Sequence, residues 1–441
     1  MQTNIEIFSI GDLMNLPEVV GILQDLIRIN TTNPPGNEGR AAQYLGELFK
    51  KEGIEYQLVG EKGRENIIAS IGKGEKGLLF ISHTDVVPVS EESWDTSPFS
   101  AEIIDGYIWG RGALDCKDLV AAEAYALIRL KRDEIPLKGR LIFAAVADEE
   151  KGGEVGAKLL TEEYKELIQA DFAINEGAGE YIDVNGNKLY LLQTGEKGPC
   201  WSRLKAHGIS GHGSRPTLAE NAVVKMAEAV KNLGEYTPKV EVIPEVKQLI
   251  ETYLELKGEK TEVTSENVDK IIDNISDRFF AEGLRSITRM TVSPNMVCGG
   301  KKVNIVPDYC EAEIDIRTLP GQDEQYVRGE LEPLIGECEL EFVHHHPANF
   351  SPADNEYYNL IEETARKVLK DVYCAPYVLS GATDSFYLRK IGIASYGVSL
   401  LSKEFPSDLL KTVHGSNERI DIKSMEVKTE FLYQLARKYL S

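Results

Sequence analysis

Residues 78–89 read LLFISHTDVVPV. The short, mainly apolar run Leu78–Ser82 fits a strand covered on both faces, as at the centre of a parallel sheet. It ends in His83, Thr84 and Asp85. A His-x-Asp at a strand end suits an imidazole that holds a metal ion while the carboxylate orients its second nitrogen. The same arrangement recurs outward from here. Residues 141–153, LIFAAVADEEKGG, carry a second apolar run into Asp148, Glu149 and Glu150 before a glycine turn. Residues 171–179, DFAINEGAG, carry a shorter run to Glu176. Residues 110–118, GRGALDCKD, place Asp115 between two glycines and an Ala-rich helical stretch, and residues 413–420, VHGSNERI, place His414 in a polar loop.

Each piece alone has a bland explanation. A histidine after a strand is ordinarily a capping or core residue, and an acidic triplet before glycines is ordinarily a solvated turn. Recurrence changes that reading, because an open α/β sheet builds its site at the carboxyl ends of its parallel strands. Two imidazoles (His83, His414) and three carboxylates (Asp115, Glu150, Glu176) suit a pair of zinc ions with one carboxylate shared. Glu149 stands beside them as a general base.

The ordered series HTDVVP, GRGALDCKD, ADEEKGG, NEGAG, SGHGSRP, VNIVPDYCEAEIDIRT, SGATDSF and VHGSNE resembles, over nearly the whole chain, the di-zinc amidohydrolase and metallopeptidase family. That family includes acetylornithine deacetylase, succinyl-diaminopimelate desuccinylase, glutamate carboxypeptidase, aminoacylase and peptidase T. The resemblance implies that His83 binds one zinc, that Asp115 bridges both, and that Glu150, Glu176 and His414 complete the two spheres. It implies further that Asp85 orients His83 and that Glu149 activates the metal-bridging water. By the same resemblance His212 reaches across a dimer to the oxyanion, and Asn304, Arg317, Gly381 and Thr383 hold the substrate. A strand-end salt bridge competes for Arg317. Where many relatives carry a second acidic residue after the bridging aspartate, this chain has Cys116, read as a small buried thiol. The Asp115–Cys116 bond is expected to be cis, as in relatives. His344 to His346 read as a solvated patch.

The 441 residues favour two domains. Asp and Glu number 71 against 49 Lys and Arg, a formal charge of −22, and no basic tract interrupts the excess. That argues against nucleic-acid or anionic-membrane partners. No apolar window is long enough to span a bilayer, and the N-terminus lacks the pattern of a signal peptide. Six widely spaced cysteines without CxxC pairs suggest free thiols in a reducing cytoplasm.

Helical stretches at Leu16–Arg28, Gly39–Glu52, Asp118–Lys131 and Gly156–Tyr164 alternate with the apolar strands, which predicts a mainly parallel, doubly wound α/β sheet. From about Pro199 the texture changes to alternating strands. A polar, helical insertion over Glu241–Leu284 follows, then strands near Met290–Val297, Cys310–Thr318 and Cys338–His344, with a helix at Gln322–Leu334. That order resembles the family's inserted α+β dimerisation or lid domain. The expected division is a catalytic domain, 1–198 and 346–441, and an inserted domain, 199–345. The whole predicts a metal-dependent hydrolase of peptide or N-acyl amide bonds beside a free carboxylate. It would use two zinc ions, or cobalt or manganese, as a cytoplasmic homodimer. A biosynthetic deacylase is the alternative, and a silent binding protein on the same fold the reading from another class. The run from His83 to Lys117 ranks the carboxypeptidase, dipeptidase and aminoacylase-like branches first.

Overall fold

Every residue of the Gly77–His83 strand is buried. A computed structural model describes residues 17–441 and shows why. Alternate residues of this strand enter different cores: Leu78 and Phe80 join one hydrophobic cluster, Leu79 and Ile81 another. The Arg140–Val146 strand divides the same way, with Leu141, Phe143 and Ala145 on one face and Ile142, Ala144 and Val146 on the other. Period-2 geometry sends neighbouring side chains to opposite faces, so a strand buried on both must be apolar throughout.

Two units separate in the chain. One runs to Thr194 and resumes at Phe350–Tyr377 and Thr383–Ser441; the other holds Gly195–Asn349 and Val378–Ala382. Among the described residues the first unit is built on a ten-stranded sheet. Its centre is parallel, in the order Arg140–Val146, Gly77–His83, Phe172–Asn175, Ala394–Gly397. Antiparallel strands flank it, Asn66–Gly72 on one side and Asn187–Glu196 on the other. Glu18–Arg28, Lys117–Arg132 and Ile422–Leu440 are helices whose apolar faces supply the larger cluster. Leu16, expected to begin the first helix, lies outside the described residues.

The second unit carries a four-stranded antiparallel sheet in the order Thr291–Gly299, Tyr309–Thr318, Gly198–His207, Glu339–His345. One face packs the helices Ala222–Glu235 and Glu324–Leu331 through Leu204, Ile314, Met226 and Val327. The other face bears Arg203, paired with Glu313 at 3.1 Å, and Lys205, paired with Glu341 at 2.7 Å. The insertion forms three helices, Pro244–Leu256, Val268–Asp273 and Arg278–Ile287. No helix among the described residues is long and apolar enough to cross a membrane.

Candidate metal centre

Three of the four central parallel strands deliver an acidic or imidazole group at the carboxyl end. His83 is the last residue of its strand, Glu176 follows Asn175, and Glu149 and Glu150 open a short turn after Val146. Asp115 precedes the Lys117–Arg132 helix through a cis Asp115–Cys116 bond, as expected. His414 comes from the loop after Ser407–Thr412 and has a φ of +59°.

These residues meet in two groups. His83 Nε2 lies 3.0 Å from Asp115 Oδ1 and 3.6 Å from Glu176 Oε1. His414 Nε2 lies 3.0 Å from Asp115 Oδ2 and 3.2 Å from Glu150 Oε2. Asp115 therefore gives one oxygen to each group. Donors held about 2.0–2.1 Å from a tetrahedral zinc stand roughly 3.3 Å apart, which these spacings bracket. The donor set fits in a second way: Glu150 Oε1 is buried with no hydrogen-bond partner. Such a group needs a cation or a proton.

The electrostatics agree. Burial, followed by the charge of Glu176, pushes Glu149 well above the usual carboxylate range. Hydrogen bonds to Asp115 and Glu150 lift His414 to about 10. Carboxylates crowded this closely suit a divalent cation, which neutralises several at once. Glu149 belongs to neither ligand group, although it is the neighbour of Glu150.

Cys116 also comes close, its Sγ lying among the atoms of the His83 group. Burial, the largest influence, raises its thiol well above the usual range, and Sγ donates toward the His83 carbonyl at 3.5 Å. A protonated thiol so directed packs rather than coordinates.

A layer of hydrogen bonds fixes the ligands. His83 Nδ1 lies 3.0 Å from the Asp85 carbonyl oxygen, which can only accept, so Nδ1 carries the proton and Nε2 faces the centre. The Asp85 carboxylate is further from the ring, at 3.4 Å. Its oxygens accept the backbone N–H groups of Glu149 (3.1 Å) and Glu150 (3.2 Å) and the Asn33 amide (2.9 Å). Asn33 also donates to Asp148 at 3.0 Å, and Arg64 bridges Asp148 to Glu38. Asp148 adopts a left-handed φ of +73°, turning the chain so that Glu149 and Glu150 follow at once. Gly153, at φ +71°, passes Asp384 so closely that a Cβ would sit 2.6 Å from Oδ1.

Glu418 ties two ligands together. Its Oε1 accepts the N–H groups of Leu114 (2.7 Å) and Asp115 (3.1 Å), and its Oε2 accepts Arg111 at 2.6 Å. Arg111 in turn donates to the Gly415 carbonyl, next to His414, at 2.8 Å. In the sequence Glu418 is marked only as a lone acid ending the VHGSNE loop. Asn33 and Arg64 carry no such mark.

Of the remaining candidates, Thr383 is buried in the first unit, where its hydroxyl accepts from Asn175, the residue before Glu176, at 3.2 Å. Gly381 falls in the second unit with Asn304, Arg317 and His212. There His212 pairs with Ile305 in a two-stranded ribbon, and Gly213 donates to the Asn304 carbonyl at 2.9 Å, so His212 and Asn304 are neighbours. Arg317 donates to Asp315 at 2.7 Å and lies over the Trp201 ring, the strand-end ion pair that competed with substrate binding. His344 packs against Trp201 and His346, outside both ligand groups.

The sequence model of Peptidase family M20/M25/M40 matches residues 79–438. N-fatty-acyl-amino acid synthase/hydrolase PM20D1 of Bos taurus is 27% identical over 405 residues, covering 88% of this chain and 79% of that protein. A probable succinyl-diaminopimelate desuccinylase of Staphylococcus aureus is 26% identical over 375 residues, covering 83% of this chain and 86% of that protein. Among solved structures, an M20 family metallo-carboxypeptidase, Sso-CP2 from Sulfolobus solfataricus, superposes with a TM-score of 0.73. It is 23% identical and covers 96% of this chain and 99% of its own.

Proposed function

From the premise that this chain belongs to Peptidase family M20/M25/M40, a family of metal-dependent amide hydrolases, we propose that it cleaves a peptide or N-acyl bond beside a free carboxylate. The observation that carries this reading is Asp115 shared between two ligand groups, with Glu149 next to both and bound to neither. His83, Asp115 and Glu176 would hold one zinc ion, and Asp115, Glu150 and His414 the second, with cobalt or manganese as substitutes. Bound there, the metals lower the pKa of water toward neutrality and polarise a carbonyl.

Glu149 takes the proton of the attacking water and later hands it to the leaving amine. A carboxyl that must serve first as a base and then as an acid works best near the operating pH. Asp85 supports the step by fixing the amide from which the Glu149 side chain springs. Arg317 and Asn304 hold the substrate carboxylate, the guanidinium through paired N–H groups that Asp315 orients until substrate arrives. Gly381 and Thr383 would add backbone and hydroxyl contacts to the substrate. His212 donates to the oxyanion of the tetrahedral intermediate, the work of a positioned donor.

The residues up to 198 and from 346 act as the catalytic domain, and 199–345 as the lid and dimerisation domain of a homodimer. His212 of one chain serves the site of the other. Mixing inactive His212→Ala and Glu149→Ala chains then restores part of the activity, since each hybrid dimer holds one intact composite site. Verified hybrids without recovery would assign His212 to its own chain. The free cysteines fit a reducing cytoplasm, and the negative surface fits a small-molecule substrate rather than a nucleic acid or a membrane.

The similarity to a probable succinyl-diaminopimelate desuccinylase supports a second reading, a biosynthetic deacylase. A hydrolysis screen over dipeptides, N-acyl amino acids, N-acetylornithine and N-succinyl-diaminopimelate, with added zinc or cobalt, separates the two. Turnover confined to the last two substrates selects the deacylase.

A further inference from the structure

His83 and His414 are held very differently. The His83 side chain is 1% exposed at the end of a central strand, whereas that of His414 is 54% exposed in a loop. His414 and Asn417 both adopt left-handed backbone, at φ +59° and +61°. A loop so shaped keeps its conformation only where contacts on its flanks impose it.

Two sets of contacts do so. The first is the Arg111–Glu418 pair, which reaches the Asp115 amide and so bears on both metal positions. The second is reciprocal. The backbone N–H of Asp95 donates to Asn417 Oδ1 at 2.8 Å, and Asn417 Nδ2 donates back to Asp95 Oδ2 at 2.9 Å. Asp95 follows Trp94, which is buried and lies beneath the Arg111 guanidinium, so the strap is anchored in the core next to the loop it holds. Among the described residues, the side-chain hydrogen bonds of this pair run between Asp95 and Asn417 and not to His83, Asp115 or Glu176.

We infer that Asp95 and Asn417 are positioning residues for His414, and that their clasp sets the affinity of the Asp115–Glu150–His414 metal position without affecting that of the His83–Asp115–Glu176 position. The inference rests on the two-metal reading above. Groups that orient metal ligands typically contribute ten- to a hundredfold in metal affinity. Two solvent-exposed hydrogen bonds place this pair at the lower end, roughly tenfold.

The test is calorimetric titration of chelator-stripped, full-length protein with zinc, with metal analysis of the product. Wild type should take up two ions in resolvable steps. Asn417→Ala and Asp95→Ala should each weaken one step about tenfold and leave the other unchanged, and Glu150→Ala should identify the weakened step as the His414 position. The exchange Asp95→Asn with Asn417→Asp restores a donor facing an acceptor, since both residues tolerate left-handed backbone, and should recover wild-type uptake. Equal weakening of both steps, no weakening, or no recovery in the exchanged pair would overturn the inference. Uptake of a single ion by wild type would instead bring down the two-metal reading, and this proposal with it. Thermal unfolding of each metal-free variant at the wild-type temperature keeps a folding defect from imitating the result.

Discussion

Asp85 Oδ1 accepts the backbone N–H of Glu149 at 3.1 Å, so the residue whose carbonyl orients His83 also fixes the starting point of the general base. The same side chain accepts the amide of the metal ligand Glu150 through Oδ2 at 3.2 Å, and so couples that ligand to the group that moves the proton. Asp85→Ala should lower turnover by a hundredfold or more and weaken metal binding ten- to a hundredfold. Asp85→Asn keeps an acceptor oxygen for only one of the two amides and should fall between. The check is kcat and metal affinity measured on the same preparations, and an Asp85→Ala enzyme within a few-fold of wild type in both would remove the coupling.

Glu149→Ala should lose at least about a hundredfold in kcat while keeping two metal ions and the wild-type unfolding temperature. The residue lies outside both ligand groups, so its loss removes proton transfer alone. A variant retaining a tenth of the rate would contradict the assignment.

Cys116→Ala should retain both metals and most of the activity. The thiol is buried, protonated and turned toward a carbonyl, and its removal leaves a small cavity that costs about 1–2 kcal/mol. A fall to one metal per chain would show that Cys116 is a ligand after all.

Lys197 provides a pH signature away from the metal centre. It is fully buried, and its ammonium donates to the carbonyls of Ser286 (2.7 Å) and Arg289 (2.9 Å) and to the Thr291 hydroxyl (3.1 Å). Burial, then the charge of Arg317, lowers it to about 7. In the unfolded chain a lysine titrates near 10.4. Between these values the unfolded state binds more protons, so stability contributed by this group rises with pH from about 7 to about 10; below 7 the cost of burying the charge is fully present. Lys197→Met should be less stable at pH 8, because the Ser286 and Arg289 carbonyls lose their donor, yet show a flatter rise. Denaturant midpoints of both proteins from pH 7 to 9.5 test this, and parallel curves would refute it.

The legible part of the sequence was what local geometry writes locally. Leu78–Ile81 and Leu141–Val146 had to be apolar throughout because each faces two cores, and the residue after such a strand lands at the carboxyl edge. The flanking strand Asn66–Gly72 pairs antiparallel and ends in loops without candidate ligands, so it drew no notice. The supporting layer was hidden for another reason. Glu418 meets Asp115, and Asn417 meets Asp95, across three hundred residues, and no period or spacing encodes a contact that only the closed fold creates. Arg317 was ambiguous for its own reason, since a guanidinium that binds carboxylates will take the one two residues away when nothing else is offered.

Activity measured against bound metal decides whether the protein is a two-metal amide hydrolase. Chelator-stripped protein is titrated with zinc while bound ion and hydrolysis of a dipeptide and an N-acyl amino acid are recorded together. Turnover should be absent without metal and full at two ions per chain, and Glu150→Ala should lose the second ion. Hydrolysis by metal-free protein, or a plateau in uptake at one ion, would contradict the two-metal reading.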